Sequence, residues 1–390
     1  MPKIHRGDEA QQERLVRFLF HRRQATRAHL AQALRIRKSA ITDLCNRLIA
    51  DQTLREANPE RQRNVLLQLN PDRFVAIGLQ HAERGVCGVR VRADLSCEGE
   101  TFYPLAENLT GAARLDAIAD CARRYVRVAA SKQQRIGVGF CDIGMVDAVR
   151  GYSIRAAAVP GWENLPVRDR LKTATGLPVE LLMHTDSLCL AEKTHGAAKA
   201  MEAFIFIQVG RRIGLSVFLN GGFLRGNTNF FGELGHTVVA PAGDICKCGN
   251  RGCLETVAST DAVVRKVRDH LTPGSPATAA LTDGVVTIDT VLTAARQGNK
   301  LARLALEEAA LAVGNAAAFI INILGIDNLV LGGKLTEAGD LFLDPVRGAV
   351  ARNCVHPVSE NVTVCLGQMG EYGSATGAAL AVLQAHFAER

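Results

Sequence analysis

The stretch Phe231-Gly-Glu-Leu-Gly-His236, followed after nine intervening residues by Cys246-Lys-Cys248-Gly-Asn-Arg-Gly-Cys253-Leu-Glu255, carries the densest chemistry in the chain. Three of the eleven cysteines fall within eight residues, and a histidine lies ten residues upstream. Three thiolates and one imidazole make a complete tetrahedral zinc set, with no position left open, so the spacing predicts a structural metal held by His236, Cys246, Cys248 and Cys253. Gly249 and Gly252 allow the sharp turns that bring Cys253 back towards the other two thiols. Buried free cysteines are the plainer alternative, but Cys-x-Cys followed by Gly-Cys is too dense for that. The metal would fix a loop carrying two carboxylates, Glu233 and Glu255. Either could hydrogen-bond ligand hydroxyls, or could be a solvated surface acid.

These residues resemble the signature of the ROK family (repressors, open reading frames and sugar kinases). The resemblance implies zinc on the same four residues, and contacts from Glu233, His236 and Glu255 to sugar hydroxyls. It also implies an α/β fold: an N-terminal winged helix-turn-helix followed by a two-lobed, actin-like ATPase (ROK) fold. The ligand would lie in the cleft between the lobes. The expected organisation is a DNA-binding domain over 1–72, a first lobe over 73–186 joined by the C-terminal helix 374–390, and a second lobe with the zinc site over 187–373.

The charge distribution supports the N-terminal assignment. The chain has 390 residues and a net charge of +7. Residues 1–70 hold 14 Lys and Arg against 7 Asp and Glu, which leaves the remainder balanced. A basic segment ahead of a neutral body points to a polyanion partner for that segment alone. A helix is expected over 9–22, a second from the N-cap Thr26 to Leu34, and a third from Lys38 to Asp51 with Ile41, Leu44, Leu48 and Ile49 buried. Arg35 stands where such a turn usually has glycine. Short strands around a basic tip, residues 54–69, complete a wing. The third helix would present Arg37, Lys38, Ser39, Thr42, Asp43 and Asn46 to a duplex operator, with Arg61 and Arg63 reaching phosphates or a minor groove. Asp43 could accept from a cytosine or pair with Arg47 on the helix surface.

Beyond residue 73, strands alternate with helices, as in an α/β domain. A hairpin is expected from Phe74 to Val91, strands at 136–140, 177–183, 204–209, 214–219 and 328–331, and a hairpin turn at Asn220-Gly-Gly222. Helices are expected at 112–130, 167–175, 300–323 and 374–387, the third carrying Leu301, Leu304, Leu311 and Phe319. Residues 271–287 read as a surface loop. The two α/β halves could be distant duplicates. No apolar run reaches the roughly 18 residues of a membrane span, and the N-terminus has no apolar signal core. Scattered cysteines around a thiolate cluster suit a reducing cytoplasm.

The resemblance also says what a kinase would need. Its phosphate loop, Asp-x-Gly-Gly-Thr, is replaced here by Gln80-His-Ala-Glu-Arg84, and Gly-Thr-Gly-x-Gly by Gly210-Arg-Arg-Ile-Gly214. Both have lost residues that let backbone N–H groups approach phosphate, so the chain is expected not to be a kinase. The family's Asn-Asp pair corresponds either to Thr185-Asp186, by chemistry, or to Met183-His184, by counting back from Ala191-Glu192. Asp186 and Thr185 are the candidate ligand contacts, although Asp186 could equally cap the following helix. Arg84, Arg211 and Arg212 could receive the phosphate of a sugar phosphate, or pair with local acids. The expectation is a cytoplasmic, sugar-sensing transcriptional regulator, a homodimer or dimer of dimers, with structural Zn2+, an operator duplex and a carbohydrate or sugar-phosphate effector as its partners, and no membrane.

Overall fold

In the computed structural model, described here for residues 6–58, 60, 64–128, 133–156, 159–227, 231–272, 281 and 285–388, the chain divides into two units. One comprises residues 1–187 and 372–390, the other residues 188–371.

The first unit begins with three helices, α1 (Arg6–Arg22), α2 (Arg27–Leu34) and α3 (Lys38–Ala50). Thr26 caps α2 by accepting from the His29 N–H at 3.2 Å, which satisfies one of the orphan donors of the first turn. The turn into α3 passes through Arg35 at φ 55°, so a non-glycine residue takes the left-handed position. Ile41, Leu44, Cys45 and Leu48 are the buried stripe of α3, and Ile49 is only half-buried. Strands β1 (Ala25–Thr26), β2 (Leu54–Glu56) and β3 (Leu66–Leu69) form a small sheet in the order β1-β3-β2. Arg61 and Arg63 lie outside the described residues.

Next come β4 (Phe74–Ala82), β5 (Gly85–Arg92) and β6 (Cys97–Pro104), an antiparallel meander, and then α4 (Gly111–Val128) and β7 (Gln134–Asp142). Strands β8 (Met145–Asp147), β9 (Tyr152–Arg155) and β10 (Glu163–Leu165) make a separate three-stranded sheet. Helix α5 (Val167–Thr175) leads to β11 (Val179–Met183). The main sheet runs β11-β7-β4-β5-β6, with β7 parallel to β4 and β11 parallel to β7. The meander's third strand, β6, is a half-exposed edge that the sequence reading did not separate.

The second unit takes up most of α6 (His184–Thr194) and then repeats the scheme. Strands β12 (Phe204–Val209), β13 (Ile213–Leu219) and β14 (Gly222–Phe223) form an antiparallel meander, closed at Asn220 and Gly221, both with positive φ. Helices α7 (Leu254–Ala258), α8 (Thr260–Asp269), α9 (Ile288–Arg296) and α10 (Lys300–Leu324) precede β15 (Asn328–Gly332). Helices α11 (Asp340–Asn353) and α12 (Val358–Asn361) precede β16 (Thr363–Leu366). The sheet order is β14-β13-β12-β15-β16, the last two pairings parallel. Both units therefore carry the same arrangement, a three-stranded meander extended by two parallel strands, and the duplication is evident in topology.

Helix α10 spans the expected stretch, but the large residues noted in its sequence are not its buried face. Its buried stripe is Ala302, Leu306, Ala309, Val313, Ala317 and Ile321, whereas Leu304 and Phe319 are half or more exposed and Leu301 and Leu311 only partly covered. The core side is built from small residues so that α10 can approach the facing helix α11, where Gly314 sits against Val346 and Ala349, and it shares one core with Ile205, Ile207 and Val209 of β12. The helix is long and apolar enough to cross a membrane, but its buried face is the core of the unit.

The chain returns to the first unit with α13 (Gly373–Phe387). It lies on β4 and β7 through glycines: a Cβ on Gly78 would stand 1.8 Å from Ala375 O, and one on Gly139 1.9 Å from Ala378 O. These two glycines are register partners on adjacent strands. They form a floor without side chains, where helix and sheet meet backbone to backbone.

Candidate functional site

The cysteine loop folds around two isolated bridges, Val238 with Cys253 and Ile245 with Arg251. The Cys246 N–H donates to Asn250 O at 2.7 Å and the Gly249 N–H to Cys246 O at 2.9 Å, closing the tight turn between the first two cysteines and the third. Gly249 and Gly252 have φ of 97° and 72°, and a Cβ at Gly252 would lie 1.6 Å from Ala240 O. Gly252 is therefore required both by its neighbours and by its backbone conformation, and Gly249 by its backbone conformation alone.

This fold brings the four predicted ligands together. Cys246 Sγ is 3.6 Å from His236 Nδ1 and Cys248 Sγ is 3.6 Å from Cys253 Sγ. One donor atom from each of the four residues lies within 4.8 Å of the others. Zn–S bonds of about 2.3 Å and a Zn–N bond of about 2.1 Å place tetrahedral ligand atoms roughly 3.5–3.8 Å apart, so the donor set and its spacing fit a single zinc ion. Burial and the neighbouring thiols push the Cys253 thiol up to about 12, while a backbone N–H from Asn250 lowers Cys248. Crowded thiols resist ionisation together, and a bound cation removes that resistance.

His236 has its other nitrogen, Nε2, 3.8 Å from Glu233 Oε2. Glu233 is exposed at the start of the short 3-10 turn Leu234–His236, and the preceding Gly232 (φ 88°) packs on Leu215 O. Glu255, half-buried in the first turn of α7, accepts from the Ile213 N–H at 3.3 Å. Both carboxylates are thus carried on the segment that the four ligands would pin, one on each side of the cysteines.

In the first unit, Thr185 and Asp186 lie in the first turn of α6, with Thr185 half-buried and Asp186 2% exposed. Asp186 is inside the helix, so it is not the cap that the sequence left open. Glu192 has a separate structural task within the second unit. It is buried and accepts from the Ala197, Gln368 and Met369 N–H groups at 2.8–2.9 Å.

The Gln80–Arg84 segment forms the end of the β4–β5 hairpin. His81 is fully buried, its Nδ1 2.9 Å from Asp142 Oδ1. Arg114 donates to His81 Nε2 at 2.9 Å and to the carbonyls of Ala82 and Glu83 at 3.0 and 2.6 Å. With Nε2 accepting, the His81 proton sits on Nδ1 and points at Asp142. Trp162 Nε1 completes the cluster, 3.0 Å from Asp142 Oδ2 and 2.8 Å from Ser153 Oγ. Burial alone would raise the Asp142 carboxyl, but the hydrogen bonds from His81, Ser153 and Trp162 hold it below its ordinary value. Sequence reasoning missed this cluster; its one local signal was a histidine near the end of a largely apolar strand. Arg84 and Arg212 are exposed, and Arg211 lies 3.6 Å from Asp261, the local pairing that competes with a phosphate role.

On α3 and at its N-cap, Arg37, Lys38, Ser39, Thr42, Asp43 and Asn46 are all exposed. Thr42 bonds back to Lys38 O at 2.9 Å, and Asn46 Oδ1 accepts from Arg27 at 3.3 Å.

The model of the ROK family matches residues 107–385. The chain belongs to the ROK family. Among characterised ROK proteins, the chain is 27% identical over 365 residues to the DNA-binding transcriptional dual regulator NagC of Escherichia coli, covering 90% of this chain and 87% of that one. It is also 30% identical over 258 residues to a glucokinase of Halalkalibacterium halodurans, covering 65% of this chain and 78% of the kinase. Among solved ROK structures, a transcriptional regulator described as a homolog of the E. coli MLC protein superposes with a TM-score of 0.80 at 22% identity, covering 93% of this chain and 92% of the other. That likeness establishes the fold: a ROK sugar-kinase-like body behind three N-terminal helices and a wing.

Proposed function

We propose that this chain is a cytoplasmic transcriptional repressor that binds an operator duplex through its winged helix and responds to a carbohydrate or sugar derivative. The observation that carries the reading is the exposed polar row on α3, in the basic N-terminal segment of a chain whose likeness to a DNA-binding regulator covers 90% of its length. Lys38 and Arg37 are suited to guanine edges or phosphates, and Asn46 and Asp43 to amine and acceptor groups of bases. Arg61 and Arg63, which lie between β2 and β3 in the sequence, would add phosphate contacts. A homodimer, or a dimer of dimers, would present two α3 helices to half-sites one helical turn apart.

His236, Cys246, Cys248 and Cys253 would hold a structural Zn2+, which fixes the segment bearing Glu233 and Glu255. These carboxylates, with His236 beside Glu233, are suited to accept from sugar hydroxyls, and Asp186 with Thr185 offers a further acceptor and hydroxyl. A ligand shifts DNA affinity only by its preference for one arrangement of the protein. Salt-dependent gel shifts on duplexes selected from a random pool, repeated with glucose, N-acetylglucosamine and their 6-phosphates, test the reading. It fails if no duplex is selected above background.

The glucokinase relative favours a second reading, an active sugar kinase with a DNA-binding appendage. Against it, the Gln80–Arg84 turn offers Arg114 two carbonyls and has neither the glycines nor the threonine of a phosphate loop, and in Gly210–Gly214 the threonine and the middle glycine are replaced by Arg211 and Arg212. A coupled ATPase assay over a hexose panel decides it: turnover that disappears in Asp186→Asn would establish the kinase.

A further inference from the structure

We propose that the C-terminal helix α13 is the element through which the neighbourhood of Asp186 and the winged helix bias one another. The inference rests on the DNA-binding reading above and adds the mechanical route.

The head of α13 is fastened at the β11–α6 junction. Ser374 Oγ is 2.9 Å from His184 Nε2, and a Cβ on Gly377 would lie 1.7 Å from Ser187 O. His184 and Ser187 flank Thr185 and Asp186 in the first turn of α6. Along its length the helix touches Gly78 and Gly139 backbone to backbone. No layer of side chains lies at these contacts to absorb a displacement by changing rotamers. Close-packed interiors transmit strain, so a shift at the junction moves the helix as a body.

The foot of α13, about 20 Å away at 1.5 Å per residue, carries Phe387. This ring is 1% exposed. It stacks on Phe20 of α1 at 4.4 Å and 24°, and meets Phe74 edge-on at 5.7 Å and 88°. Arg23 covers the Phe20 ring at 4.9 Å and donates to Ala93 O at 3.3 Å. One helix therefore bears at its head on the residues that flank a candidate sugar contact, and at its foot on the first helix of the DNA-binding domain. The coupling is reciprocal: whatever sugar binding does to DNA affinity, DNA binding does to sugar affinity.

A double-mutant cycle on the full-length chain tests the route. Ser374→Ala perturbs the head, and Phe387→Leu removes the stacked ring at the foot while keeping apolar volume. The readout is amide hydrogen exchange across residues 15–22 of α1. Ser374→Ala is expected to alter exchange there by about threefold or more, and to have no such effect in the Phe387→Leu background. Phe20→Leu, from the other side of the stack, should block the effect equally and serves where Phe387→Leu folds poorly. An unaltered α1 in Ser374→Ala, or effects that simply add, overturns the proposal. Because this readout needs no DNA, it stands apart from the duplex-selection experiment: failure to select a duplex sinks the DNA-binding reading, whereas additive exchange sinks only the helix's role.

Discussion

Replacing Asp142 with asparagine keeps the shape of the buried cluster and removes its charge. In the native chain, one carboxylate oxygen faces His81 Nδ1 at 2.9 Å and the other faces Trp162 Nε1 at 3.0 Å. Both neighbours are donors. An asparagine offers one oxygen and one NH2, so one of them must meet a donor, and Arg114 loses the nearest counter-charge. Breaking a buried ionic or charge-assisted contact by removing one partner costs about 3–5 kcal/mol. With a urea m-value of about 2–3 kcal/mol/M, that corresponds to a fall in midpoint of roughly 1–2.5 M. The sole tryptophan of the chain is Trp162 itself, fully buried in this cluster, so intrinsic fluorescence reports unfolding of the first unit without a label. The pH dependence has a definite sign. A carboxyl held below its ordinary value of 3.8 contributes stability that is fully present above that pH and is lost as pH falls through the lower folded value. Wild type should therefore keep this contribution down to about pH 4 and lose it below, and Asp142→Asn should lack it throughout. A midpoint shift corresponding to less than about 1 kcal/mol would refute the reasoning, because the cluster would then contribute no more than a surface contact.

Metal analysis of the purified chain should find one zinc per protomer, and Cys253→Ser should lose it and expose residues 237–253 to proteolysis; zinc retained at full occupancy in that variant would contradict the ligand set. Gly252→Ala should destabilise the same segment by at least about 2 kcal/mol in thermal unfolding, since a left-handed residue gains a Cβ against backbone; Gly249→Ala, with open space around it, should cost less. Lys38→Ala should weaken duplex binding and reduce the slope of log K against log salt by about one if it contacts phosphate, whereas an unchanged slope with relaxed base preference would assign it to a base edge. Asp186→Asn should abolish the response of DNA binding to sugar, measured by fluorescence anisotropy, while leaving affinity in the absence of sugar within about twofold.

Local patterns reached far in this chain. The helix-turn-helix could be read because its stripe on α3 and its cap at Thr26 are set by neighbours within a few residues. Arg35 was read correctly as the turn although it is not glycine, since the left-handed position is made by the helix end rather than by residue type alone. The clustering of His236 with the three cysteines was legible for the same reason: Cys246, Cys248 and Cys253 lie in one eight-residue turn, and its glycines mark the bends. Helix α10 lies where the sequence places it, but its large residues do not mark its buried face. Large residues attract attention in a pattern, yet close helix packing selects small ones, and Leu304 and Phe319 were left outward.

The sequence by itself determined the family signature, the basic winged segment and the cysteine loop, because each is a short-range pattern whose physics is complete within its own stretch. The tertiary structure alone decided three things. It showed that the two units repeat one strand order, that Arg114, His81, Asp142 and Trp162 converge, and that α13 returns from the end of the chain to lie between the Asp186 turn and Phe20. These features join residues tens to hundreds of positions apart. Hydrogen-bond pairing across a sheet and backbone contact at a glycine are properties of the partner as much as of the residue, and no local pattern records which partner folding will supply.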